Sequence, residues 1–338
     1  MRFAKPLLWA LVFAVLLGSV GYATQVVGKT LAPEKPALAS APPKPKKTYQ
    51  DLVVGFAQIG AESEWRTADT VSIKEAADNL GVELKFSDAQ QKQENQIAAI
   101  RTFIAMKVDV IGISPVVESG WGTVFLEAKA AGIPVIIVDR RADVAEDLYA
   151  TYLGSDFVEE GRNSARVLAK IVNGRANIVE LMGTSGSAPA NDRYKGFREI
   201  LQNYPDMKII DSLDGDFTRA RGKEMMEELL RRHGKNTTAL FAHNDDMATG
   251  AIEAIEQYGL KPGVDIKIVS VDAAHGAFEA MIAGKLNATI ECNPLLGPEF
   301  FEYALKVVNG EPVPKWVPSK EGIFLPDNAA EVLPSRKY

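Results

Sequence analysis

The 338-residue chain is 46% hydrophobic, enough to bury a large core, and its length favours two domains over one. Its net charge of −6 comes without any Lys/Arg-rich stretch that would mark a nucleic-acid surface, so nucleic acid is excluded as a partner. Cys292 is the single cysteine, which rules out an intrachain disulfide, and in its apolar surroundings it reads as a small buried hydrophobe without a catalytic role.

Residues 1–24 carry an export pattern. Arg2 and Lys5 give a short positive start, Pro6 to Val20 is almost wholly apolar, and Gly21-Tyr22-Ala23 offers a small-x-small cleavage site. Ala37-Leu38-Ala39 is a second candidate site. The apolar stretch falls short of the about 20 residues that a spanning helix needs. Cleavage, or retention as an N-terminal anchor, both leave the folded part exported to the periplasm. Residues 25–50, with Pro33, Pro36, Pro42, Pro43 and Pro45 beside Lys44, Lys46 and Lys47, read as an extended tether.

From Asp51 onward, short apolar runs alternate with helical stretches. Strands are expected at Leu52–Ala57, Val82–Phe86, Val108–Ser114, Ile133–Val138, Tyr149–Leu153, Ala176–Met182, Met207–Asp211, Ala239–His243, Ile266–Val271 and Ala288–Ile290. Helical spacing fills Thr67–Leu80, Gln91–Met106, Gly122–Ala131, Phe157–Val172 and Gly297–Asn309. Continuous apolar strands between helices indicate parallel sheets covered on both faces, so the fold class is α/β. The alternation restarts after Leu153, which predicts two doubly wound lobes. Residues 51–153 with about 293–318 form the first, and 154–292 with about 319–338 form the second. Segments crossing back between them would make a multi-strand hinge with a cleft.

Ligands of open parallel sheets bind outside the carboxyl ends of the strands. At those ends this chain places Glu62-Ser63-Glu64-Trp65-Arg66, Asp139-Arg140, Asn244-Asp245-Asp246 and Asp272. An Arg beside an Asp can hold neighbouring hydroxyls of a polyol, the one donating and the other accepting. Trp65, among charged neighbours, suits the C–H face of a sugar ring, and Trp121 either does the same or packs beneath the site. Ser185 to Tyr194 reads as a loop leading into a helix, from which Arg193 could reach the cleft, and Phe217 offers a second aromatic surface. For each Asp, helix capping is the plainer explanation.

Other chemistries lack their signatures. There is no phosphate-cradling G-x-x-x-x-G-K-[ST] and no G-x-G-x-x-G after the first strand. His233, His243 and His275 have no ligand-like spacing, so no metal or cofactor is expected. No G-x-S-x-G elbow appears, and nothing demands an enzyme. A DNA-binding repressor would need a helix-turn-helix before residue 50, where the export pattern stands instead.

The motifs also recur in a recognisable order. Val54-Gly-Phe-Ala-Gln58, Gln90 to Gln96, Val108 to Pro115, Ile133 to Arg140, His243-Asn-Asp-Asp-Met247 and Ser270-Val-Asp272 resemble the type I periplasmic sugar-binding proteins of ABC transporters, the ribose/galactose-binding group. The resemblance runs from about Leu52 to the C-terminus. Glu62 to Arg66, Ser114 to Val117, Gly120-Trp121 and Gly215 to Thr218 are most similar to the galactofuranose-binding branch. The resemblance implies sugar contacts from Asp139, Arg140, Arg193, Asn244 and Asp272. It implies stacking by Trp65 and Phe217, with polar contacts from Glu62 and Arg66. It further implies a monomer that delivers a monosaccharide to a membrane permease and its ATPase. The alternative is a sensor that presents its ligand to a receptor kinase or chemoreceptor. Glu64 stands where the family pattern has Gly, Ala273 where Gly is usual, and Cys292 at a hinge position that is polar in ribose binders. These departures bear on which sugar is bound.

Overall fold

The structure of the protein, a computed structural model, describes residues 45–338. The export segment and most of the proline-rich tether lie outside those residues. Among the described residues no helix is long and apolar enough to cross a membrane. The end of the tether stretch packs on the first lobe: Lys47 pairs with Asp109 at 2.6 Å, and its backbone N–H donates to Asn309 Oδ1 at 2.8 Å.

The first lobe begins with β1 (Val53–Gln58), α1 (Glu64–Leu80), β2 (Glu83–Asp88), α2 (Gln93–Met106), β3 (Val110–Ile113), α3 (Gly122–Ala130), β4 (Val135–Val138) and β5 (Thr151–Gly154). The second follows with α4 (Phe157–Ile171), β6 (Ala176–Met182), α5 (Ala188–Leu201), β7 (Met207–Asp214), α6 (Arg219–His233), β8 (Ala239–Ala242), α7 (Asp245–Gln257), β9 (Lys267–Asp272), α8 (His275–Ile282) and β10 (Ala288–Glu291). The chain then returns through α9 (Gly297–Val308) and β11 (Trp316–Pro318) to the first lobe, and through β12 (Ile323–Phe324) to the second.

Each lobe is a six-stranded sheet. The strand orders are β11-β5-β4-β3-β1-β2 and β12-β10-β9-β8-β6-β7, a doubly wound α/β arrangement repeated. All pairings in the first sheet are parallel, and in the second only the two-residue β12 runs antiparallel. The central strands β3, β4 and β8 are buried along their whole length, as expected of sheets covered on both faces. Gly112 shows how tightly they are covered: a Cβ there would lie 2.6 Å from both Phe56 and Phe300. Apolar clusters line both faces of each sheet, the first lobe around Phe56, Phe300 and Phe125, the second around Phe197, Phe241 and Phe278.

The chain therefore crosses between lobes three times, after β5, after β10 and between β11 and β12. Among the boundaries that differ from the sequence expectation, two bear on the site. Helix α1 starts at Glu64, because Ser63 caps it by accepting from the Arg66 N–H at 3.0 Å. Trp65 and Arg66 thus sit on a rigid first turn instead of a loop. Likewise α5 begins at Ala188, with Pro189 in its first turn, so Arg193 projects from a helix.

Candidate ligand-binding site

The carboxyl ends of both sheets face each other across the cleft, and a small pocket lies between them. Its walls are Glu62, Ser63, Trp65, Arg66, Asp139 and Arg140 from the first lobe, Pro189, Arg193, Phe217, Asn244 and Asp272 from the second, and Cys292 from the hinge. Of the candidates from the sequence, Glu64, Trp121, Asp245 and Asp246 do not line it, and the others converge here. Glu64 is exposed outside the cavity, and only its backbone contributes, the N–H donating to Asp246 Oδ2 of the second lobe at 2.9 Å. Trp121 is fully buried against Phe125 in the first lobe's core, and its indole N–H donates to the Val117 carbonyl at 2.6 Å.

On the first-lobe wall a buried ion network fixes two guanidiniums. Arg66 donates to Glu62 at 3.1 Å, Asp69 at 3.2 Å, Ser114 at 3.1 Å and Asp139 at 2.5 Å. Burial by itself would depress the Arg66 pKa, but Asp139, Glu62 and Asp69 together raise it. Arg140 donates to the Val116 carbonyl at 3.1 Å and to Glu62 at 3.3 Å. Burial, with the Arg66 charge beside it, lowers the Arg140 pKa to about 10, which leaves it cationic at neutral pH. Arg140 Nε and Glu62 Oε2 are buried without a hydrogen-bond partner among the described residues. A donor and an acceptor in that condition are costly unless a ligand hydroxyl meets them.

The second-lobe wall is built on Arg193, which donates to Glu160 Oε2 at 2.7 Å and to the His243 carbonyl at 2.6 Å. Its Nη2 also lies 3.8 Å from Asp272 Oδ1. Burial raises the Asp272 pKa well above the usual carboxylate value, despite the nearby Arg193. Asn244 caps α7 through Oδ1 and donates from Nδ2 to the Phe217 carbonyl at 3.0 Å. Asp245, by contrast, is committed inward: it accepts from Ser270, Thr289 and the Ala274 N–H, bracing the turn that carries Asp272.

Two aromatic rings complete the cavity. Trp65 is nearly buried, donates to the Cys292 carbonyl at 2.6 Å, and packs with the second lobe's cluster although the first lobe carries it. The guanidinium of Arg66 sits 4.6 Å from the Trp65 ring centre, and that of Arg140 sits 5.0 Å from Phe217. Phe217 lies flat on Gly183, where an added Cβ would come within 1.8 Å of the ring.

Several wall residues hold left-handed backbone: Asp139 (φ 60°), Phe217 (φ 60°), Asp272 (φ 127°) and Ala273 (φ 58°). Ala273 therefore occupies a conformation that favours the Gly usual at this place. Strain of this kind gathers at binding clamps, where it fixes side-chain direction.

The lobes touch at the cleft rim. Glu118 accepts from Asn191 at 2.6 Å and donates its N–H to Gly186 at 2.9 Å, and Arg141 pairs with Asp192. The conformation described is closed.

Asp69 and Glu160 were not among the candidates, yet each anchors a wall arginine. A faint signal existed. Asp69 lies three residues after Arg66 on the face of α1 that buries Ile73 and Ala76, and Glu160 shares the buried face of α4 with Phe157 and Ser164.

Two α/β lobes that meet around a pocket lined by charged side chains define a solute-capturing protein, a class that binds by hinge closure. The comparisons agree. Residues 54–312 match the periplasmic binding protein domain, and the chain belongs to that family. It is 46% identical to the galactofuranose-binding protein YtfQ of Escherichia coli (strain K12), over 85% of this chain and 92% of that protein. It is similar to a crystal structure from Mycobacterium smegmatis in complex with β-D-fucofuranose, at 51% identity and a TM-score of 0.83, covering 85% of this chain and 95% of that one. It also resembles the periplasmic binding protein component of the arabinose ABC transporter from Shewanella sp. ANA-3, bound to α- and β-L-arabinofuranose. There the identity is 46% and the TM-score 0.82, with 84% of this chain and 95% of that one covered.

Proposed function

We propose that this chain captures one furanose sugar, galactofuranose first among them, between its lobes and hands it to the permease of an ABC importer. The observation that carries the reading is the pocket between the lobes, with arginines and carboxylates on both walls and aromatic rings beside them.

Chemistry narrows the ligand further. Galactofuranose, fucofuranose and L-arabinofuranose share the ring-hydroxyl arrangement of galactose and differ in the exocyclic tail. A site whose fixed donors and acceptors read the ring would accept all three. Glu62, Ser63, Arg66, Asp139, Arg140, Arg193, Asn244 and Asp272 are assigned the hydroxyls, and Trp65 and Phe217 the ring faces. No catalytic role is assigned to any of them.

Contacts from both lobes exist only in the closed form, so the sugar favours closure by its differential affinity for that state. The closed protein is then the species the permease recognises. The chain is proposed to act in the periplasm as a monomer.

The test is calorimetry of the chain against D-galactose, D-fucose, L-arabinose, D-ribose and D-glucose. The expected result is one site per chain and tight binding of the first three alone. Binding confined to ribose or glucose, or to none of the five, would overturn the reading.

A further inference from the structure

All three chain crossings between the lobes meet at one carboxyl group. Glu321, on the third crossing, accepts from Ser155 Oγ on the first and from the Asn293 N–H on the second at 3.3 Å. Around it the crossings are knitted by backbone bonds, Ser319 N–H to Gly154 O at 3.3 Å and Glu291 N–H to Gly322 O at 2.9 Å.

This junction is crowded with acids. Atoms of Glu321, Glu160 and Cys292 lie within 4.8 Å of one another, and Ser155 Oγ is 3.4 Å from Cys292 Sγ. The cation facing them is Arg193, which is bonded to Glu160 and also approached by Asp272. Glu160 Oε1 is buried with no partner among the described residues. Two ionised carboxyls here would repel each other where water screens them only in part, since Glu160 is buried and Glu321 half-buried.

Either a metal ion or a proton would relieve that repulsion. A tetrahedral zinc ion would need Glu160, Cys292 and Glu321 all turned onto it at about 2.0–2.3 Å. Glu160 is in addition already committed to Arg193. A proton needs no such rearrangement.

We propose that Glu321 is a positioning residue for sugar capture: it holds a proton in the closed hinge, and closure on the sugar draws that proton in from solvent. The proposal rests on the sugar-binding reading above. Burial pushes the Glu321 carboxyl up to about 9, the Glu160 charge adds to the rise, and Ser155, Asn293 and Arg193 oppose it. Opening separates the crossings, hydrates the carboxyl and returns it toward the ordinary carboxylate range. Protonated, Glu321 leaves Arg193 to its close partner Glu160 and its more distant neighbour Asp272, and so sets the arginine that lines the cavity.

Linkage gives the consequence its sign. The closed form binds the additional proton, so affinity falls as pH rises through the interval between the open and closed values, by up to about tenfold per pH unit.

The test is calorimetry of sugar binding to the full chain at pH 8, with D-galactose, in phosphate, HEPES and Tris, whose ionisation enthalpies differ. The slope of observed heat against ionisation enthalpy counts the protons taken up. The expected result approaches one proton per sugar, and Glu321→Gln abolishes both the slope and the fall in affinity with rising pH. Cys292→Ser retains the slope. Sugar binding with a zero slope in the wild-type chain overturns the proposal without any variant. So does a slope that survives Glu321→Gln or disappears in Cys292→Ser. Absence of any binding heat would instead remove the sugar reading on which the proposal stands.

Discussion

On the first-lobe wall of the cleft, Arg66 and Arg140 are braced by Glu62, Asp69, Asp139 and Ser114, nearly all through side chains. On the second-lobe wall, Arg193 has one close carboxylate and a backbone carbonyl, and direction comes from left-handed backbone at Phe217, Asp272 and Ala273. The first wall is shaped by charge and the second by chain conformation. The two should therefore fail differently. A side-chain truncation should injure the first wall most, and a change in backbone freedom or close packing should injure the second.

Arg140→Ala makes the largest break. It removes a cation that faces the cavity and strips Glu62 of one of its two partners. Hydrogen bonds to charged groups contribute about 1.5–3 kcal/mol each, so losing two should weaken sugar binding by about 10³-fold. The fold should survive, because Arg66 keeps the remaining carboxylates paired. Calorimetry with circular dichroism checks both halves, and a folded variant of undiminished affinity would refute the assignment.

Gly183→Ala is the matching break on the second wall. The new Cβ would have to push the Phe217 ring into the cavity, with no charge altered. A loss of about 10- to 100-fold in affinity is expected, in keeping with off-rotamer and backbone shifts of 1–3 kcal/mol. An unchanged affinity would mean that Phe217 does not shape the site.

A smaller effect depends on pH and is shared by the two walls. Burial raises Asp69 to about 7, against an ordinary value of 3.8, with Asp139 adding to the rise and Arg66 opposing it. The folded chain thus holds a proton that the unfolded chain releases. The stability this contributes is fully present below 3.8 and is lost as pH rises through about 7. Asp245, raised by burial to about 7, acts in the same direction. The thermal midpoint should fall between pH 5 and pH 8 by roughly a few degrees, and Asp69→Asn should flatten part of that fall. A midpoint that rises over this range would contradict the charge-built first wall.

The smallest effect is Ala273→Gly. Left-handed backbone costs a non-glycine residue about 1–2 kcal/mol, offset in part by the entropy glycine loses on folding. A gain of up to about 1 kcal/mol in unfolding free energy is expected from denaturant titration, with little change in affinity. A clear loss of stability would show that the methyl group packs more than the backbone strains.

Much of this was legible in the sequence, for identifiable reasons. Buried parallel strands such as Val135–Val138 are continuous apolar runs, and the polar residues just past their ends mark the cleft. Asp139-Arg140 and Asn244 were readable on that basis. The edge strands β11 and β12 were not, because three and two residues carry no periodicity. Glu64 was expected beside Glu62, Trp65 and Arg66, which line the pocket, while its own side chain does not. Once Ser63 caps α1, helical rotation turns Glu64 away toward solvent. Asp69 and Glu160 escaped because a buried counter-charge has no motif: its partner is recognisable only when tertiary structure brings the two together.

The central claim is that the cleft reads a five-membered sugar ring. Carbon-13 NMR of D-galactose labelled at C1, bound to the chain, tests it most directly, because furanose and pyranose anomeric carbons resonate apart. The account predicts that the bound sugar is furanose, although the pyranose dominates in solution. A bound pyranose would contradict it.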